Sequence, residues 1–225
     1  MPSVGMTIRL WKSLRKNFER RIVEVGLRRD VFLAHLVRVE LPRLDHEVPG
    51  TVSKRGAMFI RHQLKRLDME PVTIRLPKDL VESIDEICTR KHIVRDAFFN
   101  RLILALCITP EAFLSLTDLG RLDIPELLIE EGWKTRGEQF SSGALATAAS
   151  VLNDPLWVIR ACLEAASKRE GVEGMYTFYE IPLSFEKVKG FQGLNVYSEQ
   201  PADLEIDLDD LLASATPKSK RESVK

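Results

Sequence analysis

Residues 72–107, VTIRLPKDLVESIDEICTRKHIVRDAFFNRLILALC, decide how this chain is read. The opening residues alternate polar and apolar with period 2, so Thr73 and Arg75 share one face of an extended segment and Ile74 and Leu76 the other. That pattern predicts a short strand with one buried face. Pro77 and Asp79 favour a helix start directly after it. Leu80, Ile84, Ile87 and Cys88 then recur at three- and four-residue steps, as on the apolar stripe of an amphipathic helix. A second helix is predicted from about Arg95 to Leu106, with Phe98, Phe99, Leu102, Ile103 and Leu106 apolar. The unit is therefore strand, helix, helix.

The unit occurs twice. At an offset of 66 residues, positions 7–41 align without a gap on 73–107, with 10 identities in 35. These are Thr7/Thr73, Ile8/Ile74, Arg9/Arg75, Leu10/Leu76, Lys12/Lys78, Leu14/Leu80, Arg29/Arg95, Asp30/Asp96, Phe32/Phe98 and Leu36/Leu102. Phe18/Ile84, Leu27/Ile93 and Val37/Ile103 keep apolar character where the periodicity needs it, and the whole is a duplicated structural unit. In the first copy the helix stripe is Leu14, Phe18, Ile22 and Val25, and Gly26 supplies a left-handed stop. Its second helix is predicted from about Arg29 to Arg38, with Pro42, Pro49 and Gly50 marking loop. A linker, 42–70, joins the copies and holds one short helix with Phe59, Ile60, Leu64 and Leu67 apolar. Lys54, Arg55, Arg61, Lys65 and Arg66 make its other side basic, either a solvated face or a contact surface for a polyanion.

A strand of four or five residues cannot satisfy its own backbone, and 35 residues cannot close a core. Two copies remove both difficulties if their strands, near 6–11 and 72–77, pair antiparallel over four helices. Both copies resemble the ribbon-helix-helix family of DNA-binding proteins, the group that includes the Arc and MetJ repressors. VTIRLPKDLVESIDEI followed by IVRDAFFNRLI looks like one member, and GMTIRLWKSLRKNFERRI followed by LRRDVFLAHLV like a second, diverged one. The resemblance covers about 70 to 75 residues and implies a tandem pseudo-dimer made by a single chain, a two-stranded antiparallel ribbon plus four helices. Trp11 departs from the proline that often closes the strand, and Arg28 and Val94 from the Ser/Thr that usually caps the second helix.

The resemblance also implies a partner, double-stranded DNA, entered through the major groove by the ribbon. Thr7, Arg9, Thr73 and Arg75 are then the base-reading candidates, since Arg can donate a bidentate pair to guanine and Thr can hydrogen-bond or meet the thymine methyl. Gly5 and Pro71, two residues earlier, have no side chain able to read a base. Arg28, Arg29 and Arg95, at the amino ends of the second helices, are phosphate-binding candidates, with Lys12 and Lys78 just beyond the strands.

Charge is segregated in the same sense. The chain is neutral overall, but residues 1–108 hold 21 Lys and Arg against 13 Asp and Glu, and residues 109–225 hold 12 against 20. A basic half attracts a polyanion and an acidic half is freer to bind protein. Residues 1–108 are therefore read as the DNA-binding domain, with copies at about 5–41 and 71–107. Residues 109–197 are read as a mostly helical assembly or partner-binding region, and 198–225 as a flexible tail, acidic and then basic. Helix starts are expected at Thr109-Pro110-Glu111, at Asp123 to Glu126 and at Asn153-Asp154-Pro155, and a single strand over 175–181. The fold class is thus mainly α.

No stretch is apolar enough for a membrane span, and three widely spaced cysteines suit reduced thiols in a cytoplasmic, nucleoid-associated protein. His35, His46, His62 and His92 lack metal-ligand spacing, and no P-loop, dinucleotide fingerprint, zinc motif or nucleophile elbow occurs. No metal, cofactor or enzymatic activity is expected. The leading expectation is a sequence-specific transcriptional regulator, such as a repressor. The alternative is an antitoxin-like or conjugation and plasmid accessory protein whose acidic half, 109–225, holds a protein partner or self-associates.

Overall fold

A computed structural model describes residues 2–24, 26–48, 50–107, 113, 115–117, 154–172, 174–183 and 190–197. These are mainly helical, with one two-stranded antiparallel sheet. Strand β1 (Ser3–Trp11) leads into α1 (Lys12–Glu24), α2 (Arg29–Glu47) and α3 (Lys54–Leu64). Strand β2 (Met69–Pro77), α4 (Lys78–Arg90) and α5 (Arg95–Cys107) follow, and α6 (Trp157–Arg169) and a 3-10 turn (Phe191–Leu194) come later.

The strands pair as the repeat requires. Thr7 faces Thr73, Gly5 faces Arg75 and Arg9 faces Pro71, so equivalent residues of the two copies lie symmetrically about the central threonine pair. Met6, Ile8, Leu10, Val72, Ile74 and Leu76 point inward and are buried. The same closing hydrogen bond forms at both ends, from Lys12 N–H to the Asp68 carbonyl at 2.8 Å and from Lys78 N–H to the Pro2 carbonyl at 3.1 Å. These two pairs are related by the 66-residue offset.

Helices α1 and α4 bury Leu14, Phe18 and Ile22, and Leu80, Ile84 and Cys88. Both end in the same left-handed stop. Gly26 (φ +68°) lets Leu27 N–H reach back to the Ile22 carbonyl at 3.0 Å. Its equivalent, His92, takes φ +55° while Ile93 N–H reaches the Cys88 carbonyl at 2.9 Å. Val25 lies outside the described residues.

Three expectations need correction. Helix α2 does not end near Arg38 but continues through Pro42 to Glu47, so the linker is shorter than 42–70. Leu41, Leu44 and Val48 are buried along the extension, and that packing outweighs the proline. Pro42 lies on the exposed side, and the Arg38 carbonyl it leaves without an intrahelical donor belongs to another exposed residue. The linker helix forms as expected, but over Lys54–Leu64, with Ser53 Oγ accepting from Gly56 N–H at 2.9 Å.

The third correction concerns 175–181, which turns instead of forming a strand. Several of its backbone groups are satisfied by side chains, and Ile181 N–H by the Thr177 carbonyl. Arg101 donates to the carbonyls of Phe178 and Ile181, and Tyr179 N–H donates to Glu47 at 3.1 Å. A ladder partner is therefore not needed.

The core runs on past residue 107. Helix α5 is buried almost throughout, and Phe98, Phe99 and Leu102 share one apolar cluster with Ile159, Leu163, Phe178, Tyr179 and Leu194. Helix α6 starts where Asp154 Oδ1 accepts from Leu156 N–H at 3.1 Å and stops before Gly171 (φ +73°). The 3-10 turn sits on the end of α3 so tightly that a Cβ at Gly193 would lie 2.6 Å from Leu64 N. The helix starts expected at 109–111 and 123–126, and the tail 198–225, lie outside the described residues.

Candidate nucleic-acid interface

Alternation places Thr7, Arg9, Thr73 and Arg75 on the face opposite the core, and all four are exposed. The threonine hydroxyls approach at 3.4 Å across the centre. Each arginine stands opposite a residue with little reach, Arg75 against Gly5 and Arg9 against Pro71. Four residue steps separate their positions along the ribbon, about 14 Å at 3.4 Å per residue. Among the described residues, neither arginine pairs with a carboxylate, so both forks of donors are directed at solvent. Such a face can donate to planar acceptors at two points related by near twofold symmetry.

A two-stranded ribbon has two edges, each a template for unwanted pairing. Here each edge is sealed by the second helix of the other copy. Asp96, at the start of α5, accepts from Arg9 N–H at 3.1 Å, and Asp30, at the start of α2, accepts from Arg75 N–H at 3.1 Å. Arg29 donates to the Thr73 carbonyl at 2.9 Å and Arg95 to the Thr7 carbonyl at 3.3 Å. Because the clamp crosses between copies, neither unit closes its own strand.

One difference between the copies explains another. Pro77 has no N–H, but Trp11 at the equivalent place does, and that donor requires an acceptor. Asn100 Oδ1 accepts it at 2.8 Å, while Asn100 Nδ2 donates to the Arg9 carbonyl at 2.8 Å. The residue equivalent to Asn100 in the proline-facing copy is Ala34.

The phosphate candidates are placed unequally. Arg28, the N-cap of α2, is exposed and makes no side-chain cap. Arg29 is shared among Asp30 (2.8 Å), Glu19 (3.5 Å) and the strand carbonyl, and Arg95 pairs with Asp85 at 2.9 Å. Lys12 lies 3.4 Å from Glu70 and 3.6 Å from Asp68; its hydrogen bond to Glu70 and the charges of Asp68 and Glu70 hold its pKa above the ordinary value. Lys78 pairs with Glu82 at 3.4 Å on an exposed face.

Sequence reasoning missed Asp30, Asp96 and Asn100. The first two stand among the repeat's identities, which is the signal that could have found them. It also missed two buried polar centres that attach the later chain. Glu40 accepts from Arg160 Nη2 at 2.6 Å and from Tyr179 Oη at 2.7 Å. Burial, reinforced by Glu40, pushes the Tyr179 phenol well above its ordinary range, so it donates as a neutral hydroxyl. Arg101 is wholly buried on three acceptors, the carbonyls of Phe178 and Ile181 and Asn195 Oδ1. Burial pulls its guanidinium down to about 9, still protonated at neutral pH.

Among the described residues no helix is long and apolar enough to cross a membrane, and no group of His, Cys, Asp and Glu could hold a metal ion. No protein-family model matches the chain, and neither a characterised protein nor a solved structure does.

Proposed function

We propose that this chain is a sequence-specific double-stranded DNA-binding protein, a tandem ribbon-helix-helix pseudo-dimer that regulates transcription by inserting its ribbon into the major groove. The observation that carries this reading is the outward row of Thr7, Arg9, Thr73 and Arg75 on a ribbon whose edges are already sealed. A surface kept from pairing with another strand, yet furnished with two arginines that no described carboxylate pairs, suits a polyanion with acceptors in a groove. Strands about 4.8 Å apart fit within a groove about 12 Å wide. In this reading Arg9 and Arg75 address guanine O6 and N7, and the threonine pair lies over the centre of the site. Arg28, Arg29, Arg95, Lys12 and Lys78 face the backbone. Arg28 is the foremost of these, because among the described residues no carboxylate pairs with it.

Selection of bound sequences from a random duplex library tests this. Enrichment of one near-symmetric motif is expected, with guanine favoured on both sides of its centre. Recovery of duplexes with no shared motif would exclude base reading.

A further inference from the structure

We propose that helix α3 carries the phosphate backbone of the same duplex past one flank of the ribbon, so that the protein holds its site asymmetrically; this rests on the DNA-binding reading above. Helix α3 buries Ala57, Ile60 and Leu64 and leaves a charged stripe outside. Lys54, Met58, Arg61 and Lys65, at steps of four, three and four residues, follow one line along its surface, and all are exposed. None of the three cations pairs with a described carboxylate.

The stripe is continuous with the outer face of the ribbon. A groove of about 450 Å³ is lined by Arg9, Arg61, Lys65 and Asp68, with Val94 and Asp96 from the start of α5. A second, of about 650 Å³, is lined by Lys54, Met58 and Arg61 on one side and by His92, Val94 and Arg95 on the other. Arg61, Val94 and Asp96 border both. The acids in this path are engaged, Asp68 with Lys12, Asp85 with Arg95 and Asp96 with Arg9 N–H. A path of cations therefore leads from base-reading Arg9, past Arg61 and Lys65, to the α5 amino end and Lys54. On a helix beside the ribbon and not on the strand face assigned to the groove, Lys54, Arg61 and Lys65 fit phosphodiesters flanking the site.

Among the described residues the path lies on one flank, and the sequence does not repeat its charge. At the 66-residue offset, residues 120–132 hold one Arg and four Asp and Glu where 54–66 hold five Lys and Arg. Nearly symmetric base reading is thus joined to a backbone contact on the flank nearest Arg9.

The full-length variant Arg61→Gln/Lys65→Gln tests this, with a duplex holding the selected motif alone and with one extended on either flank. Both residues are exposed, and an unchanged circular dichroism melt shows that the fold is retained. Because the motif is near-symmetric, the protein can seat α3 on either side of it, so wild type is expected to bind more tightly when a flank is present on either side, and the variant to lose that gain. Its salt slope on the extended duplex should fall by about two units, so that between 50 and 200 mM salt it loses about tenfold less affinity than wild type. Its preference for motif over scrambled sequence should be unchanged. Equal slopes for wild type and variant, or no gain from a flank on either side, would overturn the proposal while leaving base reading intact. Loss of motif preference in the variant would also overturn it, by making α3 a base reader. A wild type with no duplex binding would remove the functional reading itself.

Discussion

Changing Arg9 and Arg75 together to Ala is expected to lower affinity for the selected duplex by about 2 to 6 kcal/mol, roughly 30-fold to beyond ten-thousandfold. If they read bases as proposed, each arginine should contribute about 1 to 3 kcal/mol of specific contact, and at about 14 Å apart with no shared partner among the described residues the two losses should nearly add. The fold should survive. Both side chains are exposed, and the strand edges are held through backbone N–H groups donating to Asp96 and Asp30, which any residue can supply. Affinity for a scrambled duplex should fall far less. Arg28→Ala should do the opposite, weakening all duplexes alike and reducing the salt slope by about one unit. Titrations of both duplexes across a salt series check the contrast, and equal losses in the double variant would make these arginines backbone contacts.

The second large effect is on stability. Glu40 is fully buried between Arg160, Arg43 and the Tyr179 hydroxyl. Burial works against the charge on Arg160, but the hydrogen bonds and charge of Glu40, with the charges of Asp154 and Glu47, raise its pKa above the ordinary value. Glu40→Ala removes the best partner of a mostly buried cation and orphans a buried hydroxyl. Breaking such a pair from one side costs about 3 to 5 kcal/mol. The low end, about 3 kcal/mol, is expected because Asp154 at 2.7 Å and Glu47 at 3.6 Å still face Arg160. Urea unfolding should show the loss. The substitution unfastens α6 and the 175–181 turn from α2, so an exposed α5 and lower solubility should accompany it.

The repeated TIRL was enough to read the pairing of the strands, their inward and outward faces and the left-handed stop at Gly26, because these depend on local period and on the offset alone. The length of α2 was not legible. Pro42 is a strong local signal against helix, and what overrides it is the burial of Leu41, Leu44 and Val48 by distant residues. Glu40 and Arg101 were visible as charges inside apolar stripes, Glu40 between Leu36 and Leu44 and Arg101 within FFNRLILALC. Their partners, Arg160, Tyr179 and the Phe178 and Ile181 carbonyls, lie 77 to 139 residues away, outside any period. The exposed row of the site was legible because a strand announces its faces. The clamp behind it was not, because the acceptor for Arg9 N–H comes from the other copy, 87 positions on.

Methylation interference at guanine N7 tests most directly whether the ribbon reads bases in the major groove. On the selected duplex, binding should be blocked by methyl groups at two clusters about four base-pair steps apart, the spacing set by Arg9 and Arg75 along the ribbon. The interference at one cluster should vanish for Arg75→Ala and at the other for Arg9→Ala. Binding that tolerates N7 methylation throughout the site, and is blocked only by ethylation of phosphates, would contradict this account.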